Sequence, residues 1–243
     1  QRHLSCAVTG HNYRYREKIS MKSVLLKTLS VVLVAGSSLL TVSTASAYQA
    51  GDWIVRAGAA GVYPTGDGKV KGISGAKVEA DSAWSLGLNG TYMATNNIGI
   101  ELLAAWPFKH DIDCKGGIIS DFGTCADTKH LPPTLTVQWH FDTGSKFHPY
   151  VGVGVNYTNF FDTDTKGDLD SLGGDLDLDS SWGLAGEIGI DYELTNDWMI
   201  GAQVYYMDID TDATLKVSDL NYKEKFNVSI DPWVYLITVG KKF

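Results

Sequence analysis

Four groups of side chains could do chemistry if the fold brought them together. Arg56, Glu101, Glu187 and Asp191 could form an acid/base pair or a network of ions. Cys114 and Cys125, with ten residues between them, would pair as a disulfide in an oxidising compartment. With His110 and His130 nearby they could instead hold Zn²⁺, but the spacing fits no familiar zinc pattern, so no metal is assigned. The run DTDTKGDLDSLGGDLDLDSS, residues 162–181, carries seven aspartates in one imperfect copy of a glycine-aspartate repeat. It reads as a solvated loop, with divalent-cation binding through its carboxylates as the alternative. His110, His130, His140 and His148 have no serine motif beside them, so nothing marks a nucleophile, and no cofactor is expected.

What has to position these groups is set by the chain's first residues. From Met21, MKSVLLKTLSVVLVAGSSLLTVSTASA runs from lysines through an apolar stretch to Ala45-Ser46-Ala47, the order of a secretory signal peptide over 21–47. Residues 1–20 carry four basic residues and no pattern, and read as upstream sequence translated ahead of the true start; a genuine extended leader is the alternative. The chain has 243 residues and a net charge of −8; without 1–47 it keeps 14 Lys and Arg against 27 Asp and Glu, net −13. Such a charge repels phosphate backbones, so nucleic acid is not an expected partner. After Ala47 no stretch approaches the roughly 18 consecutive apolar residues of a membrane helix. A secreted chain of this kind is either soluble in the periplasm or an outer-membrane barrel.

Alternation decides between the two. Val151, Val153, Val155 and Tyr157 interleave with Gly152, Gly154, Asn156 and Thr158, and the same two-residue period recurs in 53–62, 84–93, 98–107, 134–141, 182–192, 198–207 and 233–243. Eight segments of about ten residues predict an all-β fold: an eight-stranded antiparallel up-and-down transmembrane β-barrel over 48–243. All seven tryptophans fall on the apolar phase. Threading the chain up and down puts Trp53, Trp139 and Trp198 at the periplasmic interface and Trp84, Trp106, Trp182 and Trp233 at the outer one. Short turns alternate with long polar stretches over 64–82, 108–131, 162–180 and about 211–226, expected as outer loops. Asp175, Asp177 and Asp179 alternate with Leu176 and Leu178, so a strand should continue above the membrane there. The terminal Phe243 is the aromatic end that the bacterial barrel-assembly machinery is expected to read. The polar phase puts Arg56, Glu101, Glu187, Asp191, Gln203 and His140 inside, where a barrel of this size is filled by its own side chains. A structural network is therefore favoured over an acid/base pair.

YMATNNIGIELLAAWPFKH, HLPPTL, PYVGVGVNYTNFFD, SWGLAGEIGIDY, YYMDIDT and DPWVY together resemble the outer-membrane protein W family over nearly all of 51–243. The resemblance implies a bacterial outer-membrane barrel that passes small hydrophobic molecules through a side opening. It also implies that Leu103 and Tyr205 constrict the interior beneath an apolar pocket; relatives often carry Trp at the second position, and the Tyr hydroxyl makes the floor less apolar. Ordinary interior filling is the alternative.

HLPPTLTVQWHF begins a strand with two prolines, which have no N–H to give a ladder. Pro107 sits near the outer end of the preceding strand. Unpaired backbone groups facing hydrocarbon cost several kcal/mol each, and proline removes the donor itself. Pro107, Pro132 and Pro133 are thus expected to let two strands part and release an apolar solute sideways into the outer leaflet, beneath the lipopolysaccharide sugars. The plainer reading is that they mark where loop becomes strand. The expected function is passive conduction of small hydrophobic or amphipathic molecules, with outer-membrane lipid and lipopolysaccharide as surroundings, and not catalysis. An outer-membrane lipid-modifying enzyme and a structural or adhesive barrel without transport are the alternatives.

Overall fold

The computed structural model describes residues 48–70 and 73–243; the expected leader and the extension before it lie outside the described residues. Fifteen strands run through the described residues. In order they are β1 (Trp53–Tyr63), β2 (Gly68–Lys69), β3 (Lys77–Ala80), β4 (Ala83–Met93), β5 (Ile98–Ala105), β6 (Phe108–Lys115), β7 (Thr124–Leu131), β8 (Thr134–His140), β9 (Phe147–Thr165), β10 (Gly174–Leu178), β11 (Ser181–Glu193), β12 (Trp198–Met207), β13 (Asp210–Val217), β14 (Tyr222–Ser229) and β15 (Trp233–Lys242).

Eight of them close a barrel. β1, β4, β5, β8, β9, β11, β12 and β15 each pair antiparallel with the next, and β15 returns to β1. Closure leaves no edge facing lipid, which is what hydrocarbon demands of a sheet. The expected segments and these strands agree to within a few residues, except that β9 runs on past the membrane to Thr165. All seven tryptophans are exposed, from 41% at Trp233 to 74% at Trp106. The register sorts them by height: Trp84 lies opposite Gly61, Trp233 opposite Tyr63 and Trp182 opposite Tyr157 at one end, while Trp53 lies opposite Tyr92, Trp139 opposite Val151 and Trp198 opposite Lys241 at the other.

Glycine on the inward phase makes room for large interior side chains. A Cβ on Gly189 would come within 2.3 Å of the Tyr150 ring, and one on Gly152 within 2.3 Å of the Glu187 carboxylate.

Above the outer tryptophans the structure departs from the loops expected there. Segments 64–82, 108–131, 162–180 and 211–226 carry β2, β3, β6, β7, β10, β13 and β14, which join the upper half of β9 in one curled sheet. The reason is the change of solvent. Outside the membrane the apolar residues turn inward and the charged ones outward: in β6, Phe108, His110, Ile112 and Cys114 are buried while Lys109, Asp111 and Lys115 are exposed. The polar half of this alternation made the segments look like loops. A core of Val70, Ile112, Cys125, Leu169, Leu176 and Phe226, among others, fills this outer storey.

Candidate functional site

The inner half of the barrel is closed by polar side chains. Arg56, wholly buried, grips Asp191 with two bonds, Nε to Oδ1 at 3.1 Å and Nη2 to Oδ2 at 2.6 Å, and reaches Thr91 at 2.8 Å and Glu101 at 3.4 Å. Its guanidinium lies 5.4 Å from the centre of the Tyr150 ring. Glu187, a possible partner by sequence, is held instead by Thr136, whose hydroxyl donates to it at 3.0 Å. His140 stacks on Tyr150, and Tyr48 stands edge-on to His140 and His148 with its hydroxyl donating to Asp191 at 3.0 Å. Arg56 gives Asp191 and Glu101 their counter-charge, whereas no cation among the described residues pairs with Glu187.

Leu103 and Tyr205 sit directly above this layer. Both are buried, in one apolar cluster with Phe108, Met207, Ile209, Val234 and Leu236. The Tyr205 hydroxyl turns down and donates to Glu101 at 2.5 Å. The polar tip therefore belongs to the network below, and the ring leaves the floor above it apolar.

An apolar cavity of about 60 Å³ lies over the cluster, among Val78, Ile112, Phe160, Leu176, Ile209 and Phe226. Pro107, Pro132 and Pro133 are not among the described residues that line it. Phe108, next to Pro107 in the chain, is buried and stacks on His130, which does line it.

At the prolines the wall changes. The β5–β8 ladder ends at Leu103 opposite Thr134, and pairing resumes at Phe108 opposite His130. Four residues on one side face three on the other, a bulge's count, and the ladder lapses over them. Alternation divides the prolines. Tyr157 N–H donates to the Pro133 carbonyl, and His140 N–H to that of Asn97, so odd residues of this strand bond β9 and even ones bond β5. Trp106 N–H donates to Leu86 of β4, so on the other strand the odd residues face the seam. Pro107 and Pro132 therefore each delete a donor that would point across the seam, where Ala105 keeps its own, whereas the donor missing at Pro133 would have faced β9. The acceptors are met from inside. Asn156 Nδ2 donates to the carbonyls of Pro132 at 3.2 Å and Pro133 at 3.4 Å, and to Thr134 Oγ1 at 2.8 Å.

Residues 49–243 match the family described as the OmpW family. Outer membrane protein W of Escherichia coli K12 is 44% identical over 222 residues, 90% of this chain and all of the relative. The chain belongs to the OmpW family. The crystal structure of OprG from Pseudomonas aeruginosa superposes with a TM-score of 0.75 at 45% identity, over 81% of this chain and 97% of that one. The outer membrane protein AlkL of Ectopseudomonas oleovorans is 29% identical over 201 residues, 81% of this chain and 83% of the relative. The structure of AlkL in lipid bilayers superposes at 0.62, with 26% identity, over 83% of this chain and 94% of that one.

As an OmpW-family barrel the protein resides in the outer membrane, and its remaining candidate groups take structural places. Cys114 and Cys125 form a disulfide, Cα to Cα 5.7 Å, in the outer storey. The aspartate run becomes the end of β9, a short helix and β10; Asp175 and Asp177 meet Lys216 at 3.0 and 3.2 Å, and Asp179 meets Lys225 at 3.0 Å. Among the described residues no three His, Cys, Asp or Glu side chains converge as metal ligands. Burial holds His130 neutral, pushing its pKa down to about 3, with His110 beside it adding to the effect. Asn156, Phe108 and Tyr48 were not singled out from sequence. Asn156 could have been: it is a large polar residue that follows Gly152 and Gly154 on the inward phase of its strand.

Proposed function

We propose that this outer-membrane barrel is a passive conduit for small hydrophobic or amphipathic molecules, which occupy the apolar cavity of the outer storey and leave through the wall between β5 and β8. The observation that carries the reading is the seam. Two strands face each other across a lapse in the ladder, with proline in place of two of the donors that would cross it and with Asn156 and the Thr134 hydroxyl both bonding the Pro132 carbonyl. A wall built this way parts with fewer N–H groups orphaned toward lipid. Below the cavity Leu103 and Tyr205 form the constriction, and the layer of Arg56, Glu101, Glu187 and Asp191 blocks descent. Sideways is the short way out.

On this route Phe108 acts as the shutter between cavity and seam. Lipopolysaccharide surrounds the outer storey, and Phe243, which is exposed while its backbone pairs with Trp53, offers the C-terminal signal to the assembly machinery. Purified protein in liposomes should speed uptake of an apolar probe without conducting ions. Ion conductance of a porin's size, or probe uptake no faster than in empty liposomes, contradicts the proposal.

A further inference from the structure

The cavity proposed as the solute's station is not uniformly apolar, and a buried, unpaired polar atom among its lining residues narrows what fits it. His110, on β6, lines the cavity and is 97% buried. Its Nδ1 is bonded to the backbone carbonyl of Asp81 in the β3–β4 connection. A carbonyl can only accept, so Nδ1 carries the proton. Burial disfavours the charged ring. The imidazole is neutral, and its Nε2 is an acceptor with a free lone pair.

Nothing among the described residues bonds that lone pair. The anchor at Nδ1 ties one side of the ring to the wall and turns the other nitrogen away from it. Stacking on His130, 4.8 Å between ring centres, fixes the ring's plane. The hydroxyls that also line the cavity are already committed: Thr128 to Thr163 at 2.8 Å, Thr158 to Asn156 at 2.7 Å, and Thr211 to the Asp179 carbonyl at 2.5 Å. Glu79 is bound by Lys77 and Lys115. A buried acceptor left without a donor is costly, and a ligand that supplies the donor recovers that cost.

We infer that the cavity selects small apolar molecules bearing one hydrogen-bond donor, a hydroxyl or an N–H, which His110 Nε2 accepts. The inference rests on the cavity being a station on the proposed route. It gives the cavity a specificity residue: a hydrocarbon leaves Nε2 unpaired, a ketone or ether offers it another acceptor, and an alcohol or a heteroaromatic N–H completes it.

The probe pair is pyrrole and furan, rings of the same size that differ in whether the heteroatom donates. In the full-length protein in lipid nanodiscs, with imidazole nitrogens labelled by ¹⁵N, pyrrole should bind roughly tenfold more tightly than furan after correction for lipid partition. The His110 Nε2 resonance should move on adding pyrrole and stay on adding furan. In His110→Phe, checked for folding by heat-modified gel mobility, the preference should vanish while furan still binds. Equal binding with no Nε2 shift overturns the donor rule and leaves the cavity's place in transport standing. A preference that survives in His110→Phe overturns the assignment to this residue. Binding of neither probe overturns both this inference and the cavity's place in the route. Should His110→Phe fail to fold, the resonance in the parent protein decides alone.

Discussion

Replacing Pro132 and Pro133 one at a time separates a seam that opens from prolines that merely end a loop. Pro132→Ala restores a donor on the seam side, opposite Ala105 by continuation of the Leu103–Thr134 register. Pro133→Ala restores one on the other side, where Tyr157 already donates to the Pro133 carbonyl and its own carbonyl can accept in return. Each new hydrogen bond adds about 1 kcal/mol. Each lost proline gives back about 0.4–1 kcal/mol through a more flexible unfolded chain. The net change in stability is therefore small for both, between zero and about 0.6 kcal/mol in favour of the variant. Stability does not discriminate; flux does. With equal amounts of folded protein in liposomes, Pro132→Ala should slow uptake of an apolar probe, because the ladder can now knit toward Ala105, while Pro133→Ala should transport at the parental rate. Equal flux in both variants refutes the seam. Slowed flux in Pro133→Ala alone refutes the assignment of directions.

Three further outcomes follow from the same geometry. Arg56→Met leaves Asp191 and Glu101 buried without their cation, and should cost about 3–5 kcal/mol, read as a lower temperature of mobility shift on gels. The Cys114→Ser, Cys125→Ser double variant should lose about 3 kcal/mol from the outer storey by loop-entropy reasoning, with barrel assembly unchanged; thiols that label in the unreduced parent would deny the bridge. His130 is neutral when folded down to about pH 3 and protonates near 6.5 when unfolded, so the unfolded state binds the extra proton between those values. Stability of the outer storey should be flat above pH 6.5 and fall below it, by about 2 kcal/mol at pH 5, seen as weaker amide protection in β6 and β7 and not in the membrane strands.

The membrane half was legible because lipid outside and a filled polar interior impose one rule on every strand, so Val151 to Thr158 and Trp182 to Tyr192 each declare both faces. The outer storey obeys the inverse rule. There Lys109, Asp111 and Lys115 face water, and without knowing that the faces exchange at Pro107 the segment reads as loop. The interior network was readable as a set, since Arg56, Glu101, Glu187 and Asp191 share the inward phase, but not as pairs: which carboxylate Arg56 grips depends on how the barrel's strands are staggered. The prolines were readable as lost donors. Their division into two that face the seam and one that faces β9 required the hydrogen-bond parity of both strands, and the part played by Asn156 required the carbonyls it reaches.

The most direct test of the lateral route is a reversible bolt across it. Ala105→Cys with Pro132→Cys puts two thiols at positions that face each other if the Leu103–Thr134 register is continued, where a closed ladder would hold Cα atoms about 5.5 Å apart, within a disulfide's reach. In liposomes the oxidised variant should pass an apolar probe no faster than the lipid alone, and reduction should bring the rate back to that of Pro132→Ala, which shares the restored donor, with the parent carried through the same reduction to account for the Cys114–Cys125 bridge. An oxidised, bolted barrel that transports as fast as its reduced form would contradict the account.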